Sequence, residues 1–431
     1  MSKDAGLFRR QFLSRGLAAV GAALGAPLVV PSSALGKDGI EAPSDKIILG
    51  AMGIGGRGSY DFGCMLREPD VRCVAVCDVQ RERRERAKKM VDARNGDDKC
   101  AAYVDFREMF ARPDIDAVLI ATGCNWHGFG AILAAKAGKD VYAEKPVTKT
   151  IAESLELAAT FQRTARVFQG GMQRRNVAHF VYAMSIIHSG KLGKLHTLYA
   201  HPGGMNVGMS GWATPEPEPS KEDVDWDLYL GSAAWRPFNR ALLRSGWSCF
   251  EEGGGLVGAG VLPWGSHCVD LCQWAKQSDD TVPIEYYPPE GGDRATAVYA
   301  DGVKLVIRNG GWLPGVGSCP MRAEGDAGWL EVGDSGEIFV SNPEWLAARG
   351  AKTGGYPADS HVRDFFDCVK SRGLPKANHF VTCNSHIACH ATNIAILLRR
   401  KLTYDPKRHE FIGDEEANRL RSEARREPWR E

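Results

Sequence analysis

The 431-residue chain has almost no net charge, no CxxC pair, no internal repeat and no apolar run long enough to cross a bilayer. Each absence removes a class of function. With 54 Lys and Arg against 53 Asp and Glu, a formal charge of +1, nothing marks a nucleic-acid or membrane-surface binder. The twelve cysteines are scattered, and in a chain of this size they imply buried thiols, because disulfide-stapled scaffolds are small. The apolar stretch 16–30 is interrupted by Pro27 and falls short of the roughly 20 residues a membrane span needs. No low-complexity block occurs beyond the Pro/Glu-rich 215–222, which reads as a surface loop.

That N-terminal stretch reads as an address instead. Arg9-Arg10-Gln11-Phe12-Leu13 is a twin-arginine pattern, and Ser32-Ser33-Ala34 is an A-x-A-like cleavage site, so residues 1–34 are expected to be a Tat export signal. The expected location is the periplasm or another extracytoplasmic space, with no membrane contact beyond export. Without those residues the chain carries 50 basic against 52 acidic side chains, a formal charge of −2, and is long enough for two domains.

The organising element is residues 46–58, KIILGAMGIGGRG. Ile47, Ile48 and Leu49 form an unbroken apolar run, as in a strand buried on both faces of a parallel sheet. Gly53-Ile54-Gly55-Gly56-Arg57-Gly58 follows, a GxGxxG turn that suits a tight bend, close approach of a pyrophosphate and a helix N-terminus facing it. Among 49 glycines the spacing alone is weak, so the context decides. A second apolar run, 71–77, ends in Asp78, 20 residues after Gly58, the offset at which a carboxylate meets the ribose 2′-hydroxyl of NAD. A carboxylate there argues for NAD over NADP, with Arg81 nearby as the contrary feature.

Strand-like and helix-like text then alternates. A charged helix is expected over 81–93, strands over 116–121 and 140–143, and helices over 126–137 and 151–164. This predicts a doubly wound parallel α/β sheet of the Rossmann type over 44–164. From 165 to 405 the text changes to strand-like runs at 196–201, 295–299, 304–308 and 329–332, with glycine-rich turns, which predicts an α+β domain built on one large, mostly antiparallel open sheet. Its last helices are expected to pack back on the first domain, leaving 406–431 as a charged tail whose end, 419–431, is expected to be exposed.

The segment 138–146, GKDVYAEKP, resembles the GKHVxxEKP signature of the glucose-fructose oxidoreductase/inositol dehydrogenase (Gfo/Idh/MocA) family. The segment 122–128, Gln173 with Arg174, and Trp264-Gly-Ser-His267-Cys-Val-Asp270 are similar to further segments of that family. The resemblance implies Lys145 as the group that binds and polarises a substrate hydroxyl and His267 as its general base, with Asp270, one helical turn on, orienting the imidazole. It places Asn125, His127, Glu144 and Lys145 beside the cofactor, and Trp126, Gln173, Arg174, Trp264 and His267 beside the substrate. One departure matters: the family's acid four residues before the histidine is Pro263 here, so Asp270, Tyr199 or His201 must substitute, or the chemistry differs.

The implied activity is hydride transfer on a sugar or sugar derivative with a tightly held, recycled NAD. An NAD-dependent glycosidase, working by transient oxidation, elimination and re-reduction, is the alternative, and a homo-oligomer is expected. His386 and His390 have zinc-like spacing but no third ligand at a clear spacing, so no metal site is expected.

Overall fold

The computed structural model describes residues 45–202, 214–245, 260–290, 294–308 and 315–429. The expected export signal and the glycine-rich 253–259 lie outside them. The first domain is a six-stranded parallel sheet in the order β3-β2-β1-β4-β5-β6, formed by β1 (Ile47–Met52), β2 (Val71–Cys77), β3 (Ala101–Tyr103), β4 (Ala117–Ile120), β5 (Asp140–Ala143) and β6 (Phe168–Gly170). Leu49 faces both Cys73 of β2 and Ala117 of β4, so β1 is the switch point where the chain's winding reverses and a crevice opens at the strands' carboxyl ends.

The helices of this domain are α1 (Gly56–Arg67), α2 (Arg81–Asn95), α3 (Phe106–Phe110), α4 (Cys124–Lys136) and α5 (Ile151–Thr164). Helix α2 buries only Ala87 and Val91, as its charged sequence requires. Strand β6 lies beyond the expected boundary at Thr164, because Val141, Tyr142 and Ala143 still need a partner on that edge and the text 168–170 supplies it.

After α6 (Ala178–His188), the second domain contributes a nine-stranded sheet from β7 (Leu195–Ala200), β8 (Glu285–Tyr287), β9 (Arg294–Val298), β10 (Lys304–Arg308), β11 (Met321–Gly325), β12 (Gly328–Val332), β13 (Ile338–Val340), β14 (Leu402–Asp405) and β15 (Glu410–Phe411). Its order is β13-β12-β11-β7-β10-β9-β8-β14-β15. Only β7 and β10 pair in parallel; the other described pairings are antiparallel. The remaining helices are α7 (Trp226–Leu230), α8 (Arg240–Ser245), α9 (Leu262–Lys276), α10 (Asp359–Ser371), α11 (His379–Leu398) and α12 (Glu415–Arg419). Phe180, Met184, Val269, Leu271 and Ile387 from α6, α9 and α11 pack with Leu198, Leu305 and Leu330 of the sheet in one core.

Helix α10 returns to the first domain and inserts Phe365 and Phe366 beside Leu49 and Phe62, each burial contributing about 2–3 kcal/mol. The tail corrects the expectation of exposure. Trp429 is buried among Phe106, Trp126 and Phe129, with centroids at 6.0, 4.9 and 6.4 Å, and Arg426 donates to the Gly231 carbonyl at 2.9 Å. Its charges are paired outward while one indole is buried, so composition alone misjudged the segment. No helix among the described residues is long and apolar enough to cross a membrane.

Candidate active site

A cavity of about 440 Å³ opens at the switch point and runs from Asp78 past the glycine turn to Lys145, Arg174, Trp264 and His267. The turn closes only with glycine at two positions. Gly53 has φ +80°, and a Cβ there would lie 2.6 Å from the Thr122 backbone, while one on Gly58 would lie 2.2 Å from the Gly53 carbonyl oxygen. A Cβ on Gly56 would meet nothing within 4 Å, so the turn is open on its cavity side. Helix α1 starts from Gly55 with no side-chain cap on its first amides and no acidic residue in its first turn. Uncapped amides at the base of a cavity fit a pyrophosphate, so the residues present fit a dinucleotide. Ile54 is fully buried and reaches the site only through its main chain, its amide donating to Asp78 Oδ2 at 2.8 Å, while Gln80 N donates to Oδ1 at 2.9 Å.

At the far end, Lys145 Nζ donates to the Pro263 carbonyl at 2.9 Å and lies 4.7 Å from the Trp264 ring centroid. The Trp264 and His267 rings are 6.3 Å apart, so the lysine and the histidine meet at one end of one cavity. Burial lowers the Lys145 pKa, with Glu144 opposing. Beneath it Glu144 accepts from the Lys145 amide at 3.1 Å and from Gln173 Nε2 at 2.6 Å, and it lies 3.6 Å from Arg57. Arg57 is also bound to Asp61 at 2.9 Å and sits over the Tyr60 and Tyr356 rings. Burial works against the charged form of Glu144, yet Arg57 and Lys145 hold its pKa down.

His267 differs from expectation. Arg174 Nη1 lies 2.9 Å from His267 Nε2, and an arginine can only donate, so Nε2 is the acceptor and the ring proton sits on Nδ1. Burial first, and then Arg174, push the His267 pKa well below its usual value. The imidazole is therefore neutral with its basic nitrogen occupied, which corrects the general-base assignment. Nδ1–H has no partner among the described residues. Arg174 is held in turn by Asp334, at 3.0 and 2.7 Å, and lies 4.0 Å from the Tyr356 ring centroid.

Asp270 does not orient His267. It accepts two bonds from Arg175 Nε, at 2.8 and 3.0 Å, one from Arg175 Nη2 at 2.7 Å, and one from Ser385 Oγ at 2.8 Å, because one turn along α9 it faces the packed helices and not the cavity. Tyr199 donates to Glu324, and neither it nor His201 lines the cavity, so neither replaces the missing acid.

Asn125 is also placed elsewhere: its amide donates to the Tyr229 and Leu230 carbonyls at 3.0 and 2.9 Å, and it does not line the cavity. Trp126, expected at the substrate, donates to the Leu228 carbonyl at 2.8 Å and stands in the cavity wall with Phe106. Both nitrogens of His127 face carbonyls, of Pro146 at 2.8 Å and Thr122 at 3.1 Å, which tie the lysine loop to α4. His386 accepts from the Val147 amide at 2.9 Å, and His390 lies 3.0 Å from the Thr148 carbonyl; among the described residues no three metal-ligating side chains converge.

A family model described as an oxidoreductase family NAD-binding Rossmann fold matches residues 47–172, and its companion, the C-terminal alpha/beta domain, matches residues 185–431. The chain belongs to the Gfo/Idh/MocA oxidoreductase family. Within it, this Gfo/Idh/MocA chain is 33% identical over 175 residues to a glycosyl hydrolase family 109 protein of Saccharopolyspora erythraea, covering 37% of this chain and 38% of that protein. It is 28% identical over 150 residues to a myo-inositol 2-dehydrogenase of Thermotoga maritima, covering 35% and 43%. The match thus spans about two fifths of the length of these curated relatives.

Two solved structures share its fold. One is myo-inositol 2-dehydrogenase from Lactobacillus plantarum, with TM-score 0.59 and 18% identity over 84% of this chain and 100% of that one. The other is aldose-aldose oxidoreductase from Caulobacter crescentus, with TM-score 0.58 and 16% identity over 83% and 99%. Sequence reasoning missed Asp334 and Tyr356 in this Gfo/Idh/MocA site, and missed Arg175 as the partner that holds Asp270 away from it. The paired arginines at 174 and 175 were the one visible signal, since two adjacent buried cations require separate acids.

Proposed function

We propose that this chain is an NAD-dependent oxidoreductase acting on a hydroxyl of a sugar or sugar derivative. The observation that carries the proposal is a single cavity with an uncapped glycine turn at one end and Lys145, Arg174 and His267 at the other. Bound oxidised nicotinamide supplies the hydride acceptor. The protein's part is to grip the reacting oxygen. Lys145, with its pKa lowered by burial, carries the proton: as the amine it takes the hydroxyl proton while hydride leaves the carbon, and as the ammonium it returns that proton in the reverse step. Arg174, fixed by Asp334, occupies His267 Nε2 and so keeps the imidazole neutral beside the lysine.

NAD is proposed over NADP because the buried Asp78 would repel a 2′-phosphate. With the twin-arginine leader, export is proposed too, and a protein outside the cytoplasm must keep and recycle its cofactor. Assembly as a dimer or tetramer is proposed through the open sheet face, where Phe339 is 39% exposed beside the inward-facing Ile338.

The glycosyl hydrolase family 109 relative favours a second reading. There, a ring hydroxyl is oxidised to a ketone, the neighbouring C–H becomes acidic, the glycosidic substituent leaves by elimination, and water addition and re-reduction complete a redox-neutral cleavage. Incubation of the purified protein with free sugars and with aryl glycosides separates the two. Reduction at the reduced-nicotinamide band without cleavage supports the first reading, cleavage without net reduction supports the second, and neither on a broad panel sinks both.

A further inference from the structure

The turn after β2 is bridged to the second domain. Arg81 N donates to the Asp223 carbonyl at 2.9 Å, Asp225 N donates to the Val79 carbonyl at 3.1 Å, and Gln80 and Val224 form an antiparallel bridge. Arg83 continues the connection: Nη2 donates to the Leu243 carbonyl at 3.1 Å, while Nη1 lies 3.0 Å from where a Gly55 Cβ would stand. Tyr229 Oη donates to the Leu242 carbonyl at 2.6 Å, closing the same segment on itself. Tyr229, Leu242 and Leu243 line the same cavity as Asp78, Val79 and Phe106, and the 80/224 bridge and the Arg83–Leu243 contact set this segment beside the Asp78 turn. On the dinucleotide reading proposed above, Asp78 meets the adenosine ribose and this apolar slot is the space left for the adenine.

We propose that the segment 223–243 is an adenosine clamp that gates dinucleotide release, a site on the second domain for a ligand otherwise held by the first. The proposal rests on the dinucleotide reading above and adds its kinetics. Direct exit of the nucleotide requires the 80/224 bridge and the Arg83 contact to open together. A cofactor held this way is trapped between turnovers without a covalent link.

The bridge itself supplies the test. Antiparallel partners stand about 4.5–5.5 Å apart at Cα, within reach of a disulfide, and the described native cysteines are buried. In the full chain loaded with NADH, a Gln80→Cys/Val224→Cys pair in its oxidised state should release NADH at least about tenfold more slowly than when reduced, measured by fluorescence after mixing with excess NAD. Arg83→Ala, folded by circular dichroism, should release it about tenfold faster than wild type. Equal release from the oxidised and reduced pair, or failure of the cross-link to form, overturns the clamp. A wild-type protein that binds no NADH overturns instead the dinucleotide reading on which it stands.

Discussion

The ammonium of Lys145 is held by the main-chain carbonyl of Pro263, 2.9 Å away across 118 residues of sequence. Position 263, where the related pattern has an acid, therefore still serves the lysine, through its backbone. The proline occupies the first turn of α9, where its missing N–H costs nothing, and its carbonyl faces the cavity end. Because the contact is main-chain, Pro263→Ala should keep kcat within about threefold, whereas Lys145→Ala should lower it by about 10² to 10⁴ with NAD still bound. A hundredfold loss in Pro263→Ala would show that the ring, and not the carbonyl, does the positioning.

Asp334 acts on the site only through Arg174, which makes it a positioning residue. Asp334→Asn retains one acceptor and the volume, so kcat should fall about tenfold with KM and bound NAD unchanged. Asp334→Ala leaves a buried guanidinium unpaired and should destabilise the fold by about 3–5 kcal/mol in urea titration. Wild-type kcat in Asp334→Asn, with intact stability, removes the neutral imidazole from the mechanism.

The two glycines of the turn should fail differently. At Gly55 the added Cβ meets only the end of the Arg83 side chain, at 3.0 Å and not backbone, so Gly55→Val should fold normally yet lose NAD retention, because the side chain stands where the pyrophosphate approaches. At Gly58 it meets the Gly53 carbonyl at 2.2 Å, so Gly58→Ala should lower the melting temperature as well. NAD at wild-type stoichiometry in the denatured supernatant of Gly55→Val contradicts the turn's role.

Asp78 should set the nucleotide preference. Asp78→Ala removes both a ribose acceptor and a repulsive charge, and it leaves the Ile54 amide without its carboxylate. NAD affinity should fall about tenfold and its advantage over NADP should narrow, as read by titration with the two reduced cofactors. Unchanged affinity for both places the ribose elsewhere.

What could be read ahead of the structure was what the chain carries locally. The strand, the glycine turn and the carboxylate 20 residues on are set by short-range geometry, and the periodicity of 81–93 announces an exposed helix. The alternating text of the second domain revealed strands but not that β7 and β10 pair in parallel, since register depends on which edges remain free after the helices dock. Ion-pair partners were the least legible. Asp334 meets Arg174 across 160 residues and Asp270 meets Arg175 across 95, with no spacing rule to announce either. The buried Trp429 shows the same limit, since one aromatic in a charged tail outweighs its neighbours once a matching aromatic cluster exists.

Buried neutral histidines should make the fold acid-sensitive before any carboxylate is titrated. Burial pushes His361 and His386 down to about 4 and His390 to about 3, against about 6.5 in the unfolded chain. Such a group binds a proton only when unfolded, so its contribution is complete above pH 6.5 and is lost as the pH falls toward the folded value. Each costs about 1.4 kcal/mol per pH unit within that window. Asp61, whose pKa is raised by burial and by Glu144, works the other way, holding a proton in the folded state that the unfolded state releases. The raised pKa values of Asp78, Glu153 and Asp270 act in the same sense as Asp61, while the lowered values of His127, His179, His267 and His379 act with the three histidines and leave the imidazoles in the majority. The urea midpoint should therefore stay near its plateau down to about pH 6.5 and fall steeply by about pH 5, with His390→Asn, where the ring makes one main-chain contact, flattening the slope by up to one proton. A midpoint that is level or rising between those two pH values would mean that these imidazoles take up protons in the folded protein.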